Sequence, residues 1–502
     1  MSEATEVIVE TTAGKIEGIF RRGLYAFRGI PYAAPPVGRL RWLPPEPPEP
    51  WSGVRPAQRL ASIAPQMPMG LELLDSPVPE PQDEDCLYLN VWTPGLDDVR
   101  RPVMVWIHGG GFTSGSGSSL MYNGRTLSSR GDTVIVTINY RLNVLGFLNL
   151  NEVTGGRIPA TGNEGLLDQA FALEWVHNNI ASFGGDPDNV TIFGESAGGF
   201  SVGSLLALPK AKGLFHKAIL QSGAAHTAHT TVESAKHVSG TFLEILGISP
   251  DDIDGLRALT VEQLIDGQRE LAAKANDPNS GIGSLALRPV VYNDILPQLP
   301  IDVVASGSAD NIDILVGTNL DEAKLFTAMN EGLSEMDEAR LLRRLRRLIP
   351  AGDVPTLVEN YRKARDERGM STTPAELFMA IQTDKGFRIP AVRLAEHHSR
   401  RNQSTYMYLF TWASPMRGGA LGACHALELG FVFGMLDENF SGSGPEAEAL
   451  AKNIQDAWLT FARTGDPSCE GLGQWPVYGD RRETMLLDKE CCLLYTSPSP
   501  RD

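Results

Sequence analysis

The chain has 502 residues, of which 42% are hydrophobic and 21% charged, the composition of an ordinary globular protein with enough apolar mass for a large core. Its formal net charge of −17 argues against nucleic acid and anionic membrane surfaces as partners, since both need clustered positive charge. No apolar stretch approaches the roughly 18 residues of a membrane span, and the acidic start Met1-Ser2-Glu3-Ala4-Thr5-Glu6 lacks the positive, then apolar, character of a secretory leader, so a cytoplasmic location is expected.

From the N-terminus, Glu6 to Phe20 alternates apolar and polar residues around Thr12-Ala13-Gly14 and predicts a β-hairpin. The proline-rich stretch Pro31 to Pro50 can be neither helix interior nor central strand and must wrap the surface. Val103 to Ile107 and Thr133 to Ile138 are continuous apolar runs, the mark of strands buried on both faces. Between Asn163 and Phe183, Leu166, Leu167, Ala170, Leu173 and Val176 recur at helical spacing, with Asn163-Glu164 as the expected cap and Gly184-Gly185-Asp186-Pro187 as the stop. A strand at Val190 to Phe193, a helix to Leu208 and a strand at Ala218 to Leu220 follow. The stretch from about Ala225 to Arg288 is polar and helical in character and is expected to cap one end of the sheet. Later strands are expected at Ile312 to Val316 and Tyr406 to Phe410, and a last helix at Ala447 to Arg463. Strands alternating with helices predict an α/β protein with a mostly parallel central sheet flanked by helices on both faces.

Arg340 to Ile349 places Arg343, Arg344, Arg346 and Arg347 among leucines, which reads as a solvated basic helix packed on the core by its apolar stripe. The five cysteines, Cys86, Cys424, Cys469, Cys491 and Cys492, show no disulfide framework and no metal-ligand spacing, so reduced thiols and no bound metal are expected. The final residues, 492–502, look like the translation of a sequencing-library adapter, and the expected protein is therefore 1–491, with its true C-terminus beyond. Length alone would suggest about three domains. The motifs below lie far apart and must converge on one site, which implies a single catalytic domain with insertions.

Those motifs begin with Gly194-Glu195-Ser196-Ala197-Gly198, placed between a strand and a helix. A serine at the apex of such a turn is held clear of the sheet, and only glycine on both sides lets strand and helix pass so closely. A serine hydroxyl needs a histidine base, itself oriented by a buried carboxylate. In α/β-hydrolases the chain order is serine, acid, histidine, which leaves His397, His398 and His425 as candidates. His397 and His398 read as the solvated end of a charged helix. His425 follows a glycine-rich loop after a buried strand and is the expected base. The strand ending at Val316 runs into Gly317-Thr318-Asn319-Leu320-Asp321-Glu322, and spacing does not choose between Asp321 and Glu322. His108-Gly109-Gly110-Gly111-Phe112, after the strand ending at Ile107, can aim backbone N–H groups at an oxyanion.

Three longer motifs, Phe27-Arg28-Gly29-Ile30-Pro31-Tyr32-Ala33-Ala34-Pro35-Pro36, Glu84-Asp85-Cys86-Leu87-Tyr88-Leu89-Asn90-Val91 and Phe193 to Gly199, make the chain resemble a type-B carboxylesterase of the cholinesterase-like α/β-hydrolase family, close to bacterial para-nitrobenzyl-esterase-type members. The resemblance runs from about Val7 to about Asp488. It implies an α/β-hydrolase fold with an N-terminal β-hairpin and helical insertions over the active site. It also implies Ser196 as nucleophile, Glu322 rather than Asp321 as the acid, His425 as base, and the amides of Gly110, Gly111 and Ala197 as oxyanion donors. Glu195 would be a buried electrostatic neighbour. The expected reactants are a small-molecule ester and water, with no cofactor, no nucleic acid, and a monomer or homodimer as the assembly. Two positions depart from the family. Family members commonly pair the cysteine of the Glu-Asp-Cys motif with one preceding Pro-Gln, but Ala64 precedes Pro65-Gln66 here, so Cys86 is expected free. The Met67 to Asp85 loop, where cholinesterases carry a choline-binding tryptophan, holds no aromatic residue, which disfavours choline esters.

Overall fold

The computed structural model describes residues 5–495, apart from 69–79, 226–227, 276, 278–279, 284, 328–331, 334 and 350–351. Most of the Met67 to Asp85 loop and residues 496–502 thus lie outside the described residues.

β1 (Thr5–Thr11) and β2 (Gly14–Arg21) form the expected hairpin, with Thr11 opposite Gly14. Three further strands do not stand out in the sequence: β3 (Leu24–Pro31), β4 (Val54–Pro56) and β5 (Tyr88–Thr93). Their alternation is interrupted by glycine, proline and asparagine, and β3 follows β2 through Arg22-Gly23, both at positive φ, as a tight hairpin turn requires. The central strands follow as β6 (Arg101–Ile107), β7 (Val134–Ile138), β8 (Gly185–Glu195) and β9 (Lys217–Gln221). The short β10 (Thr230–Thr231) and β11 (Val290–Val291) pair only with each other. β12 (Asp313–Asn319), β13 (Thr405–Phe410), β14 (Thr484–Leu487) and β15 (Cys492–Leu494) complete the set.

The main sheet runs β1-β2-β3-β5-β7-β6-β8-β9-β12-β13-β14-β15, with β4 beside β2. It is parallel from β7 to β14 and antiparallel along the path at both ends, while β4 lies parallel to β2. Alternation along each strand feeds two cores: Val103, Val105 and Ile107 of β6 enter one, Met104 and Trp106 the other. The helix Glu164–Asn179 packs into the first core and Pro445–Thr464 into the second. Asn163 does not cap its helix. Its side-chain amide instead brackets Val290, donating to the carbonyl and accepting from the N–H, both at 2.9 Å, while Glu164 accepts from the amides of Thr161 at 2.8 Å and Gly162 at 3.1 Å. Arg141, three residues after β7, and Asp168 of the helix Glu164–Asn179 form a buried two-pronged ion pair with bonds of 2.8 and 2.7 Å.

The helices Val232–Leu246 and Val261–Ala275 bury Phe242, Leu264 and Leu271 in the first core. The basic helix Glu338–Leu348 buries Leu341 and Leu345 against Val354–Asp366 and Pro374–Thr383, leaving Arg343, Arg346 and Arg347 exposed. His398 corrects the sequence reading: it is buried rather than solvated, with its ring nitrogens on Thr405 Oγ1 at 2.7 Å and the Ala309 carbonyl at 3.1 Å. The polar residues around it disguised an inward-facing position. All five cysteines are free, and Cys86 is fully buried. Among the described residues no helix is long and apolar enough to cross a membrane.

Candidate active site

β8 ends at Glu195 and the helix Ala197–Leu205 begins one residue after Ser196, which takes φ 56° and ψ −121°. An L-residue at positive φ is strained and persists only when its surroundings hold it. Here the Ser196 N–H donates to the Gln221 carbonyl on β9 at 3.0 Å. The flanking glycines have a direct steric cause. A Cβ on Gly194 would lie 2.6 Å from the Gly198 backbone, and one on Gly198 would lie 2.0 Å from the Ile107 carbonyl. Gly198→Ala must therefore push β6 away from the elbow. We expect this variant to lose ester turnover by at least ~100-fold, since about an ångström of misplacement has that effect, or to lose folded protein. Turnover normalised to folded protein by thermal unfolding checks this; full activity with an unchanged Tm would contradict the packing.

The glycine run leaves β6 and folds against the elbow, so closely that a Cβ on Gly109 would lie 3.2 Å from Ser196 Cβ. Gly110 and Gly111 adopt φ 108° and 63°. The Gly110 carbonyl accepts from the amides of Thr113 at 3.1 Å and Ser114 at 3.0 Å. Burial pushes His108 down to about 4, so it is neutral, and it stacks on Tyr140 with ring centres 4.4 Å apart. Tyr140 donates from its hydroxyl to the His108 carbonyl at 2.8 Å, and Gln66 clasps Gly115 from both sides.

Glu322 follows β12 and His425 follows β13 by a longer loop. The imidazole Nδ1 donates to Glu322 Oε2 at 2.6 Å, and Glu322 Oε1 accepts from the Asn319 N–H at 2.8 Å. Asp321, which spacing left equivalent, turns away: it lies 3.1 Å from Lys324 Nζ and accepts from the Ala423 amide at 3.2 Å. The structure thus brings Ser196, Glu322, His425 and the Gly110-Gly111 loop to the C-terminal edges of β8, β12, β13 and β6.

Two further carboxylates lie near the imidazole. Glu195 Oε1 is 3.0 Å from His425 Nε2, although it has no hydrogen-bond partner in a good direction. Glu428 accepts from Asn319 Nδ2 at 2.6 Å and from Gln221 Nε2 at 3.1 Å, and Gln221 in turn accepts from Trp458 Nε1 at 3.1 Å. Burial raises Glu195 against the opposing pull of His425, with smaller upward contributions from Glu428 and Glu322; burial is also the main cause of the raised Glu428. For His425 burial alone would lower the pKa, but Glu195 and Glu322 outweigh it and hold the proton on.

Phe326 and Phe387 pack on the imidazole with ring centres 4.9 and 5.0 Å away, and Phe326 is half exposed. Leu285, from the long segment between β9 and β12, faces Gly111. Gln221 and Phe387 carry no motif of their own, whereas Asn319 lies within the Gly317 to Glu322 segment and Glu428 stands three residues beyond His425. Among the described residues no group of His, Cys, Asp and Glu could hold a metal ion.

A model of the "Carboxylesterase family" matches residues 5–497, and the chain belongs to that family. It has the α/β-hydrolase fold and is a carboxylic ester hydrolase. The chain is 41% identical to para-nitrobenzyl esterase of Bacillus subtilis (strain 168) over 97% of this chain and 96% of the relative. It is 37% identical to phenmedipham hydrolase of Pseudarthrobacter oxydans over 94% and 93% of the two chains. Among solved structures it is similar to the Geobacillus stearothermophilus carboxylesterase EST55, at 40% identity and a TM-score of 0.86 over 97% of each chain.

Proposed function

We propose that the protein hydrolyses carboxylic esters through an acyl-enzyme on Ser196, with His425 as general base and then acid, Glu322 as the carboxylate that orients it, and the amides of Gly110, Gly111 and Ala197 as oxyanion donors. The observation that carries this reading is the buried 2.6 Å bond from His425 Nδ1 to Glu322, beside a strained serine elbow. With Nδ1–H held on a carboxylate, the neutral imidazole takes the Ser196 proton on Nε2, the nitrogen that lies 3.0 Å from Glu195 Oε1 at rest. The hydroxyl oxygen attacks the ester carbonyl, and the new oxyanion is met by the backbone donors. The tetrahedral adduct collapses, and the leaving alkoxide takes the proton from His425. Water repeats the sequence on the acyl-enzyme and releases the acid. A small-molecule ester and water are the only reactants. The five free thiols support the expected cytoplasmic compartment.

The test compares aryl esters of graded acyl length with the matching aryl amides, and maps the adduct of an aryl phosphonate by mass spectrometry. Esters turning over faster than amides, with the adduct on Ser196, is the expected result. Faster amide turnover, or an adduct elsewhere, would reject the ester reading or the nucleophile.

The pH profile tests the carboxylate crowd. Neutral His425 is the base, so kcat/KM rises as pH climbs through the pKa of the free enzyme's imidazole. A carboxylate at Glu195 stabilises the imidazolium, and the two groups titrate as a coupled pair. Glu195→Gln removes that stabilisation, so His425 gives up its proton sooner. The acidic limb of kcat/KM is expected to move to lower pH; an unmoved limb would show that Glu195 carries no charge where His425 titrates.

A further inference from the structure

Between the helices Pro374–Thr383 and Ile389–Ser399, the segment Asp384–Arg388 widens into one π-helical turn. Such turns cost hydrogen-bond geometry and concentrate at functional sites. This one lies directly behind the acid loop. Arg388, 3% exposed, donates from Nη2 to the carbonyls of Asn319 at 2.9 Å and Leu320 at 3.3 Å. Those carbonyls end β12 and open the loop to Glu322, and the Asn319 N–H is itself a donor to Glu322. On the other flank, the Ala323 N–H donates to Thr383 Oγ1 at 3.0 Å. Glu322 is therefore bracketed on both sides, through residues 319–320 and 323, by side chains of 383–388. Asp384 steadies the guanidinium at 3.3 Å and accepts from the Tyr361 hydroxyl at 2.6 Å, which connects the bracket to the helix Val354–Asp366. Phe387, on the same turn, packs on the His425 ring.

We propose that Thr383 and the π-helical segment Asp384–Arg388 position Glu322 for His425, with Arg388 as the principal positioning residue. The inference rests on the triad assignment above. Arg388 touches no reacting atom; it fixes the backbone from which the acid is presented. Without it the carbonyls of Asn319 and Leu320 lose this donor, and the loop shifts to find new partners.

Arg388→Met in the full-length protein is expected to lower kcat about 100-fold with KM within about threefold, because binding groups stay in place while the acid moves. The groups facing His425 are Glu195 from β8, Glu428 from its own segment, Glu322 and the rings of Phe326 and Phe387. Weakening Glu322 alone lowers the proton affinity of the imidazole, so the acidic limb of kcat/KM should move to lower pH. A purely structural role would reduce active enzyme at every pH and leave the limb in place. Arg388→Lys, which can still reach one carbonyl, should recover about tenfold of the lost kcat. Should Arg388→Met not fold, Tyr361→Phe keeps the buried ring and loosens Asp384, and should lower kcat several-fold with the limb displaced in the same direction. An unmoved limb, or a kcat loss matching the loss of titratable active sites, overturns the positioning role. Ser196→Ala assayed alongside separates the two ideas: an active Ser196→Ala would sink the triad itself, whereas an inactive one beside an unmoved limb sinks only this inference.

Discussion

Ser196→Ala is expected to lower ester turnover by about 10⁴- to 10⁶-fold, the scale on which loss of a serine nucleophile acts. The hydroxyl is removed while the elbow keeps its shape, because the strained backbone is held by the Gln221 carbonyl and by the glycines around it, not by the side chain. KM should therefore change little. His425→Ala should fall to a similar floor, and the double variant should be no worse than either single one, since a base without a nucleophile has nothing to activate. The residual rate above water would come from the backbone donors near Gly110 and Gly111. Steady-state kinetics on an aryl ester, normalised by folded protein, reads all three. Additive losses would mean that Ser196 and His425 act independently.

Glu322→Gln should cost about 10³- to 10⁴-fold in kcat, although the side chain keeps its size. Glu322 uses its two oxygens differently: Oε1 accepts from the Asn319 N–H and Oε2 from His425 Nδ1. A glutamine can satisfy the Asn319 N–H only with its carbonyl, which turns its NH₂ toward Nδ1. The imidazole must then accept at Nδ1 and carry its proton on Nε2, the nitrogen that has to take the serine proton. The variant is thus blocked by tautomer, not by fit. Glu322→Asp, shorter but still charged, should lose less. The control is Asp321→Asn, expected to act near wild type because Asp321 serves Lys324 and the Ala423 amide. A larger loss in Asp321→Asn than in Glu322→Gln would reassign the acid.

What could be read from the chain depended on how local its cause was. The hairpin at Thr11 to Gly14, the buried runs of β6 and β7 and the elbow around Ser196 are each written within a dozen residues, by alternation, continuous apolarity or glycine spacing. What separates Asp321 from Glu322 is not local: Glu322 meets His425 and Asp321 meets the Ala423 amide, partners more than a hundred residues further along the chain. Asn163 shows the same limit, since its cap-like position gives way to a partner at Val290, far along the chain. His398 was hidden because a buried histidine satisfied by Thr405 and Ala309 looks, by sequence, like a polar helix end. Arg388 and Glu428 do their work through contacts with β12 and β9, which no periodicity foretells.

The order of strands has a consequence for the life of the chain as it is made. The elbow follows β8, the oxyanion loop follows β6, and both belong to the first half of the polypeptide, but His425 follows β13, after more than four-fifths of the residues have been joined. Domains fold as units while the ribosome is still adding residues at about 5–20 per second. On the proposed triad, a chain clipped before β13 holds its serine without the histidine base, and ester turnover is therefore expected only from chains that extend through His425.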